Sequence, residues 1–398
     1  MPGPLHGVRV LDFTRFQQGP FATALLADMG AEVVKVEPRI DGEWGRQSER
    51  DAETGFSAYF ESYNRGKRSI TLDIRLPDGQ KVVRALVPGF DVVVENFRPG
   101  FMARVGLDYE SLRPLNERLI YAQASAFGSK GPMSGLGGFD HVAQAVSGLM
   151  VEQAGGPGHD PSPALPGAAD QISASFLAMG IASALFARAT TGVGQKLEVS
   201  LLGSMMAFQG RQVTRYFVTG KQGRARFRRS PLYSHYRGAD GWGVAIAAQR
   251  QESWAPLCRA LGDPALEHDP RFAGPWERND HADELEARLE AIFAARTVGE
   301  WLERLIAEDV PCGRVNDYSA LKDDGELAAQ LRENRYLVEV EHSGQGRITT
   351  NGTPVTFSGT PTQELRAAPE LGQDTEAVLL AAGYDWPAIE HLKDVGAI

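Results

Sequence analysis

Apolar positions along this chain follow two rhythms. Short segments rich in apolar residues at 8–13, 32–37, 90–95 and 119–124 read as buried strands, as expected of a sheet covered on both faces. Between the first two runs, Phe21, Ala24, Leu25 and Met29 recur at helical spacing over residues 20–29, and Gly30 follows as a helix terminator. A strand, a helix and a strand within about thirty residues form a βαβ unit, which implies parallel pairing. The pattern predicts an α/β fold whose large, Rossmann-like domain is built on a parallel sheet.

Two loops interrupt the rhythm. Residues 128–138 contain five glycines, and residues 154–167 are rich in glycine and proline. The second loop leads past Asp170 into a helix with Ile172, Phe176, Met179 and Phe186 on its apolar side. A strand at 196–200 and a helical run through Met206 follow. Near Gly220 the composition changes, and residues 221–229 form a basic, polar linker. Beyond it, a strand at 243–248 and helices at 253–261, 282–293 and 298–308 suggest a smaller α/β domain. From residue 346 the chain is strand-like and turn-rich, with a helix near 374–382. The expected division is 1–224 as the first part of the large domain, 225–330 as the small domain, and 331–398 as a return segment completing the large one.

Charge and cysteine content narrow the function. A net charge of −10 argues against nucleic acid or an anionic membrane as partner, since both bind basic surfaces. The two cysteines, Cys258 and Cys312, give no disulfide framework, so reduced thiols in a cytoplasm are the simplest expectation. The first residues lack a basic region followed by an apolar core, and no signal peptide is expected. No apolar stretch is expected to reach the roughly 18 residues of a membrane helix.

Several chemistries fail on their motifs. The turn after the first strand, residues 14–20, has one glycine where a dinucleotide site needs three. The Gly-Lys pairs at 66–67 and 220–221 have Glu61 and Arg215 where a P-loop has its first glycine. No serine sits in a nucleophile elbow, and the histidines and cysteines show no metal-site spacing.

A series of other motifs resembles the family III CoA transferases, the group that includes formyl-CoA transferase and carnitine CoA-transferase-like proteins. Gly7-Val-Arg-Val-Leu-Asp-Phe-Thr-Arg15 resembles the family's opening. Gly30-Ala-Glu-Val-Val-Lys-Val-Glu-Pro38 and Asn64-Arg-Gly-Lys-Arg-Ser-Ile-Thr-Leu-Asp73 follow in order. Val94-Glu-Asn-Phe-Arg-Pro-Gly100 is similar to its most diagnostic stretch, and Pro166-Gly-Ala-Ala-Asp170 to the loop bearing its catalytic aspartate. Residues 310–313, 357–361 and 368–372 extend the likeness over nearly the whole chain.

The resemblance implies an enzyme that moves CoA from an acyl-CoA donor to a small carboxylic acid. Aspartyl mixed-anhydride and aspartyl-CoA thioester intermediates carry the transfer. On the residues alone, Asp170 is a helix N-cap; the resemblance makes it the nucleophile. An aspartate with a pKa near ~3.9 is ionised at neutral pH, and a helix N-terminus favours that form. Gln17, in the first βα turn, is implied to donate to or orient the reacting carbonyl, with Gln18 as its competitor. Arg39, Lys67, Arg68, Leu72, Arg75, Asn96, Phe97, Arg98 and Arg104 are implied CoA contacts, since phosphates call for basic side chains. Asp140 is expected to hydrogen-bond within the active site, and His141 is a core or supporting residue.

CoA and acyl-CoA are expected as substrates, with no tightly bound cofactor and no metal. Succinyl-CoA is the expected donor. The glycine-rich lid of formyl-CoA transferases is missing after the linker, where residues 230–237 stand instead. The implied assembly is an interlocked homodimer, with Arg224, Arg226, Arg228 and Arg229 near a chain crossing or the site mouth. Two alternatives share the fold: a 2-methylacyl-CoA racemase and a non-catalytic CoA-binding protein. Phe139 stands where the racemases carry a proton-abstracting histidine, which disfavours the first; Asp170 disfavours the second.

Overall fold

In the computed structural model, residues 2–222, 230–322, 325–362 and 364–398 are described. The chain opens with β1 (Arg9–Asp12), α1 (Gln18–Asp28) and β2 (Glu32–Glu37). Next come α2 (Ala58–Asn64), β3 (Arg68–Thr71), α3 (Pro77–Leu86), β4 (Val92–Glu95) and β5 (Ile120–Ser125). After α4 (Asp140–Val146) and the long α5 (Ala168–Thr191), β6 (Lys196–Ser200) completes the sheet. All six strands pair in parallel in the order β3-β2-β1-β4-β5-β6. The order reverses direction between β1 and β4, and in such sheets ligands meet the carboxyl ends of the strands at that reversal.

Strand alternation assigns the core to the two faces of the sheet. Leu11, Val34, Ile70 and Val93 face one cluster with Val82, Val83 and Leu86 of α3. Val10, Val33, Val92 and Ile120 face the other, with Ala22 and Leu26 of α1 and Ala174, Leu177 and Ile181 of α5. β3 has no apolar run of its own; only Ser69 and Ile70 of its four residues are buried.

α5 corrects two expectations. Its buried face is Ala169, Ser173, Ala174, Leu177, Ala178, Ile181 and Ala184, whereas Met179 is 58% and Phe186 78% exposed. The helix is apolar all round, so periodicity alone cannot say which side faces the sheet; the small residues do, because they permit close approach. With 24 residues and few charges, it also has the length and composition to cross a membrane. Its small-residue face packs into the sheet core instead.

Two helices follow β6, α6 (Leu201–Phe208) and α7 (Gly210–Thr219). The basic stretch of Arg224, Arg226, Arg228 and Arg229 lies outside the described residues. The chain divides into two compact units. The first is Met1–Gln153, Asp160–Gln222 and Arg332–Ile398; the second is Ala154–His159 with Gly223–Leu331. Ala154–His159, read from sequence as part of the first domain, carries no apolar periodicity that would assign it.

The second unit has an antiparallel sheet of β7 (Tyr233–Gly238), β8 (Gly241–Ala247) and β9 (Cys312–Arg314). Around it stand α8 (Trp254–Leu261), α9 (Ala282–Phe293) and α10 (Val298–Ala307). Phe293 stacks on Tyr236 at 4.8 Å and meets Trp301 at 5.0 Å, and the indole N–H donates to the Phe293 carbonyl at 2.8 Å. Back in the first unit, the hairpin β10 (Leu337–His342) and β11 (Gly346–Asn351) precedes α11 (Thr375–Ala381) and α12 (Trp386–Asp394).

Buried charges brace the carboxyl end of β1. The Lys67 ammonium, fully buried, donates to Asp12 at 2.9 Å, to the Pro20 carbonyl at 2.9 Å and to Asn64 Oδ1 at 2.8 Å. Asp12 also accepts from the Thr14 and Thr23 hydroxyls. Burial pushes its carboxyl up, but Lys67, Lys35 and those hydroxyls outweigh burial and hold it well below the usual carboxylate range. Lys67→Met strands the Asp12 charge, and breaking a buried pair in this way costs about 3–5 kcal/mol. A urea unfolding midpoint equal to that of the wild type contradicts this account of the brace.

Candidate active site

The turn from β1 into α1 is anchored at successive backbone groups. Asp12 accepts the Thr14 N–H at 2.8 Å. Asn96, just past β4, accepts the Arg15 N–H at 2.9 Å and donates to the Arg15 carbonyl at 2.8 Å. Phe16 follows in the left-handed region, at φ 67°, with its N–H donated to Glu43 at 3.0 Å. The next residue, Gln17, begins the entry into α1.

Gln17 lies against the start of α5. A Cβ at position 167 would come within 2.3 Å of Gln17 Oε1, and Gly167 adopts φ 86°, so both contact and conformation call for glycine here. Gln17 Oε1 is buried without a donor among the described residues. Gln18 has a different part: its amide is buried and donates to Ser173 of α5 at 2.7 Å.

Asp170 does not precede the helix, as the sequence suggested. It is the third residue of α5, after the N-cap Gly167, which offers no side-chain cap. Asp140, at the head of α4, supplies one instead by accepting the Ala169 N–H at 2.7 Å. Gln144 donates to Asp140 at 2.8 Å and accepts the Ala164 N–H at 2.8 Å, tying that cap to the loop before Asp170.

The Asp170 carboxyl accepts no hydrogen bond from any described residue. Burial first, and the Asp140 charge second, push it up to about 7. The expectation of a fully ionised aspartate is therefore corrected: a helix N-terminus favours the anion, but desolvation and a like charge oppose it more strongly. Tyr59 and Tyr63 of α2, edge to face at 5.1 Å, stand near it. Burial and then Asp170 raise the Tyr59 phenol, and Gln171 donates to the Tyr63 hydroxyl at 3.2 Å. The (i, i+4) tyrosine pair was the available sequence signal for this wall and was passed over.

The structure sorts the implied CoA contacts. Lys67 is unavailable, since all three of its donors are occupied within the core. Leu72 is 3% exposed and belongs to the core. Arg68 pairs with Glu32 and Asp374, and Arg75 forks onto Asp73. The Asn96 amide holds the Arg15 backbone. Arg39, Arg98 and Arg104 are exposed and make no ion pair among the described residues. Arg98 lies along Gly137, and Phe97 packs on Phe101 at 4.6 Å. Arg15, unnoticed in sequence although it shares a turn with Gln17, lies over the Phe97 ring at 4.8 Å. His141, expected inside, is exposed, because Ala143 and Gln144 form the inner side of α4. Phe139 is exposed and meets Phe16 edge-on at 5.2 Å. No group of metal-ligating side chains occurs among the described residues.

Comparison with known proteins gives concordant results. The family model for CoA-transferase family III matches residues 5–375. Succinyl-CoA:glutarate CoA-transferase of Mus musculus is 35% identical over 99% of this chain and 90% of its own. Formyl-CoA:oxalate CoA-transferase of Rhodopseudomonas palustris is 31% identical over 100% and 98%. A CAIB/BAIF family protein from Brucella suis superposes with a TM-score of 0.83 at 31% identity, covering 96% of this chain and 100% of that one. Rv3272 from M. tuberculosis does so with a TM-score of 0.82 at 32% identity, covering 94% and 99%.

The environment of Asp170 predicts its titration. Its carboxyl should lose its proton near pH 7 rather than in the ordinary carboxylate range. Asp140→Asn keeps an oxygen for the Ala169 N–H and removes the neighbouring charge, so ionisation becomes easier and the midpoint moves down. Isotope-edited NMR of labelled aspartate reads both midpoints; an ordinary carboxylate value in the wild type contradicts the assignment.

Proposed function

The chain belongs to CoA-transferase family III, and from that premise we propose that Asp170 carries the acyl group and then CoA during transfer between two carboxylic acids. The observation that carries this reading is the state of its carboxyl, which is partly buried and left without a hydrogen-bond donor among the described residues. Such a group keeps its lone pairs free for attack once it is ionised.

The steps balance without an added proton or electron. A carboxylate oxygen of Asp170 attacks the thioester carbon of the donor, the C–S bond breaks, and CoA leaves as thiolate from a mixed anhydride. The thiolate attacks Cγ of Asp170, the donor acid leaves, and an aspartyl-CoA thioester remains. The acceptor carboxylate attacks that Cγ and expels the thiolate again. The thiolate then takes the acceptor acyl carbon, and Asp170 returns as carboxylate. The Gln17 amide, beside Gly167, is proposed to orient the reacting carbonyl through its NH₂ donor.

Arg39, Arg98 and Arg104 are proposed to meet the CoA phosphates, with Arg15 and Arg75 beside them. All of these but Arg75 are cations without an ion pair among the described residues, and such cations suit phosphate recognition. Succinyl-CoA is the proposed donor and a small dicarboxylate the acceptor; relatives named for succinyl-CoA:glutarate and for succinyl-CoA and D-citramalate support that class. The proposed setting is the cytoplasm, where the free Cys258 and Cys312 stay reduced. The proposed assembly is an interlocked homodimer, supported by the exposed Met179 and Phe186 on α5. A sedimentation mass of one chain at micromolar concentration contradicts the dimer.

Incubation with donor acyl-CoA alone should leave a hydroxylamine-sensitive CoA adduct on the peptide bearing Asp170. Asp170→Asn should fold and bind CoA, with transfer reduced on the order of 10⁴-fold or more. In the wild type, the rate of the first acyl transfer should rise as pH rises through about 7, because the protonated carboxyl does not attack. Near wild-type turnover by Asp170→Asn, with no adduct on that peptide, defeats the assignment.

A further inference from the structure

We propose that Glu43 is a positioning residue for this reaction: it holds the Phe16 backbone in the left-handed region and thereby sets the Gln17 amide against the start of α5. The inference rests on the transferase reading for its kinetic consequence, though not for its geometry.

Glu43 is 1% exposed, and four donors converge on its carboxylate. The Phe16 and Gly45 N–H groups each reach Oε2 at 3.0 Å. The Asn64 amide reaches Oε1 at 3.3 Å, and the buried Lys35 ammonium stands 3.6 Å from the same oxygen. Only a group that accepts at both oxygens serves all four, because an amide in either orientation turns its NH₂ toward one pair of donors. Glu43 is itself fixed: its own N–H donates to Glu37 at 3.1 Å, and Arg46 grips Glu37 through two bonds. Lys35 closes the arrangement by donating to the Thr14 carbonyl at 2.8 Å.

Position 16 faces two demands that conflict. The backbone needs φ 67°, which glycine adopts freely and phenylalanine does not. The side chain packs between Trp44 at 5.3 Å and Phe139 at 5.2 Å, a contact glycine cannot make. The hydrogen bond that the Phe16 N–H donates to Glu43 reconciles them. Thr14 and Arg15 are pinned separately by Asp12 and Asn96. Loss of the Glu43 bond therefore frees the chain at Phe16, one residue before Gln17. The close fit of the Gln17 amide on Gly167 leaves little room for that displacement.

The test is a double-variant cycle. Glu43→Gln should lower kcat on the order of 10²-fold, the cost of a small misplacement, with KM for acyl-CoA within about twofold, since Asn96 still pins the Arg15 backbone and the other proposed phosphate contacts lie outside this turn. Adding Phe16→Gly should restore most of the lost kcat, because glycine holds the left-handed region unaided; in the wild-type background it should bring no gain. Simple destabilisation predicts the opposite, a double variant worse than either single one. A Glu43→Gln enzyme with wild-type kcat, or a defect that Phe16→Gly does not relieve, overturns the proposal. If Glu43→Gln does not fold, Glu43→Asp keeps the charge, withdraws it by one methylene, and enters the same cycle. A crystal structure of the variant should show Phe16 out of the left-handed region and the Gln17 amide moved off Gly167; an unchanged turn overturns the proposal. If the wild type neither transfers CoA nor forms an adduct with any donor, the transferase reading fails, and that crystal structure alone decides the role of Glu43.

Discussion

A carboxylate that is to attack a thioester must lose much of its water without being satisfied by the protein in exchange. In the proposed reading Asp170, which is partly buried, meets that constraint through its position in the first turn of α5. The free N–H groups of a helix start would ordinarily bond a nearby carboxylate. Here Asp140 reaches in from α4 and takes the Ala169 N–H, leaving the Asp170 oxygens without a donor. The same arrangement places a second negative charge close by, and that charge adds to burial in raising the Asp170 carboxyl to about 7. Capping and pKa tuning thus come from one side chain, Asp140.

The opposite wall depends on charges buried well below it. Asp12, Lys67, Lys35 and Glu43 form a group that solvent does not reach. Such groups are costly to bury, and their contribution to net stability is small or negative. What they do here is geometric. Each fixes a backbone group between the end of β1 and the start of α1, or fixes a residue that does so. The strand order puts this turn and the Asn96 turn side by side at the reversal of the sheet, where Asn96 bonds directly to Arg15. Rigidity at Gln17 is therefore supplied from strands on both sides of β1.

Much of the sheet was legible in the sequence because β1, β2, β4 and β5 are buried on both faces and read as short segments rich in apolar residues. β3 was not, since it is a four-residue edge strand whose ends are the partly exposed Arg68 and Thr71. The inner side of α5 was misread because Met179 and Phe186 point outward while Leu177 and Ile181, among alanines, point inward. Asp170 stood out only through the family resemblance; physics alone made it a cap. Its raised carboxyl could not be read from sequence, because Asp140 lies thirty positions earlier and meets it only in the fold. Lys67 was misassigned for a similar reason. Neighbours in sequence point to opposite sides of a strand, so Lys67 turns into the core and Arg68 pairs with Glu32 and Asp374.

The central claim is that Asp170 is a covalent participant rather than a bystander, and the path of one oxygen atom tests it. In the proposed sequence, the final step leaves an oxygen of the acceptor acid on Cγ of Asp170, while the donor acid departs with an oxygen that had belonged to the enzyme. A single turnover with heavy-oxygen-labelled acceptor should therefore add one heavy oxygen to the peptide bearing Asp170 and leave the released donor acid unlabelled. Direct exchange between the two substrates predicts the reverse. A labelled donor acid in the first turnover, with an Asp170 peptide of unchanged mass, would contradict the account.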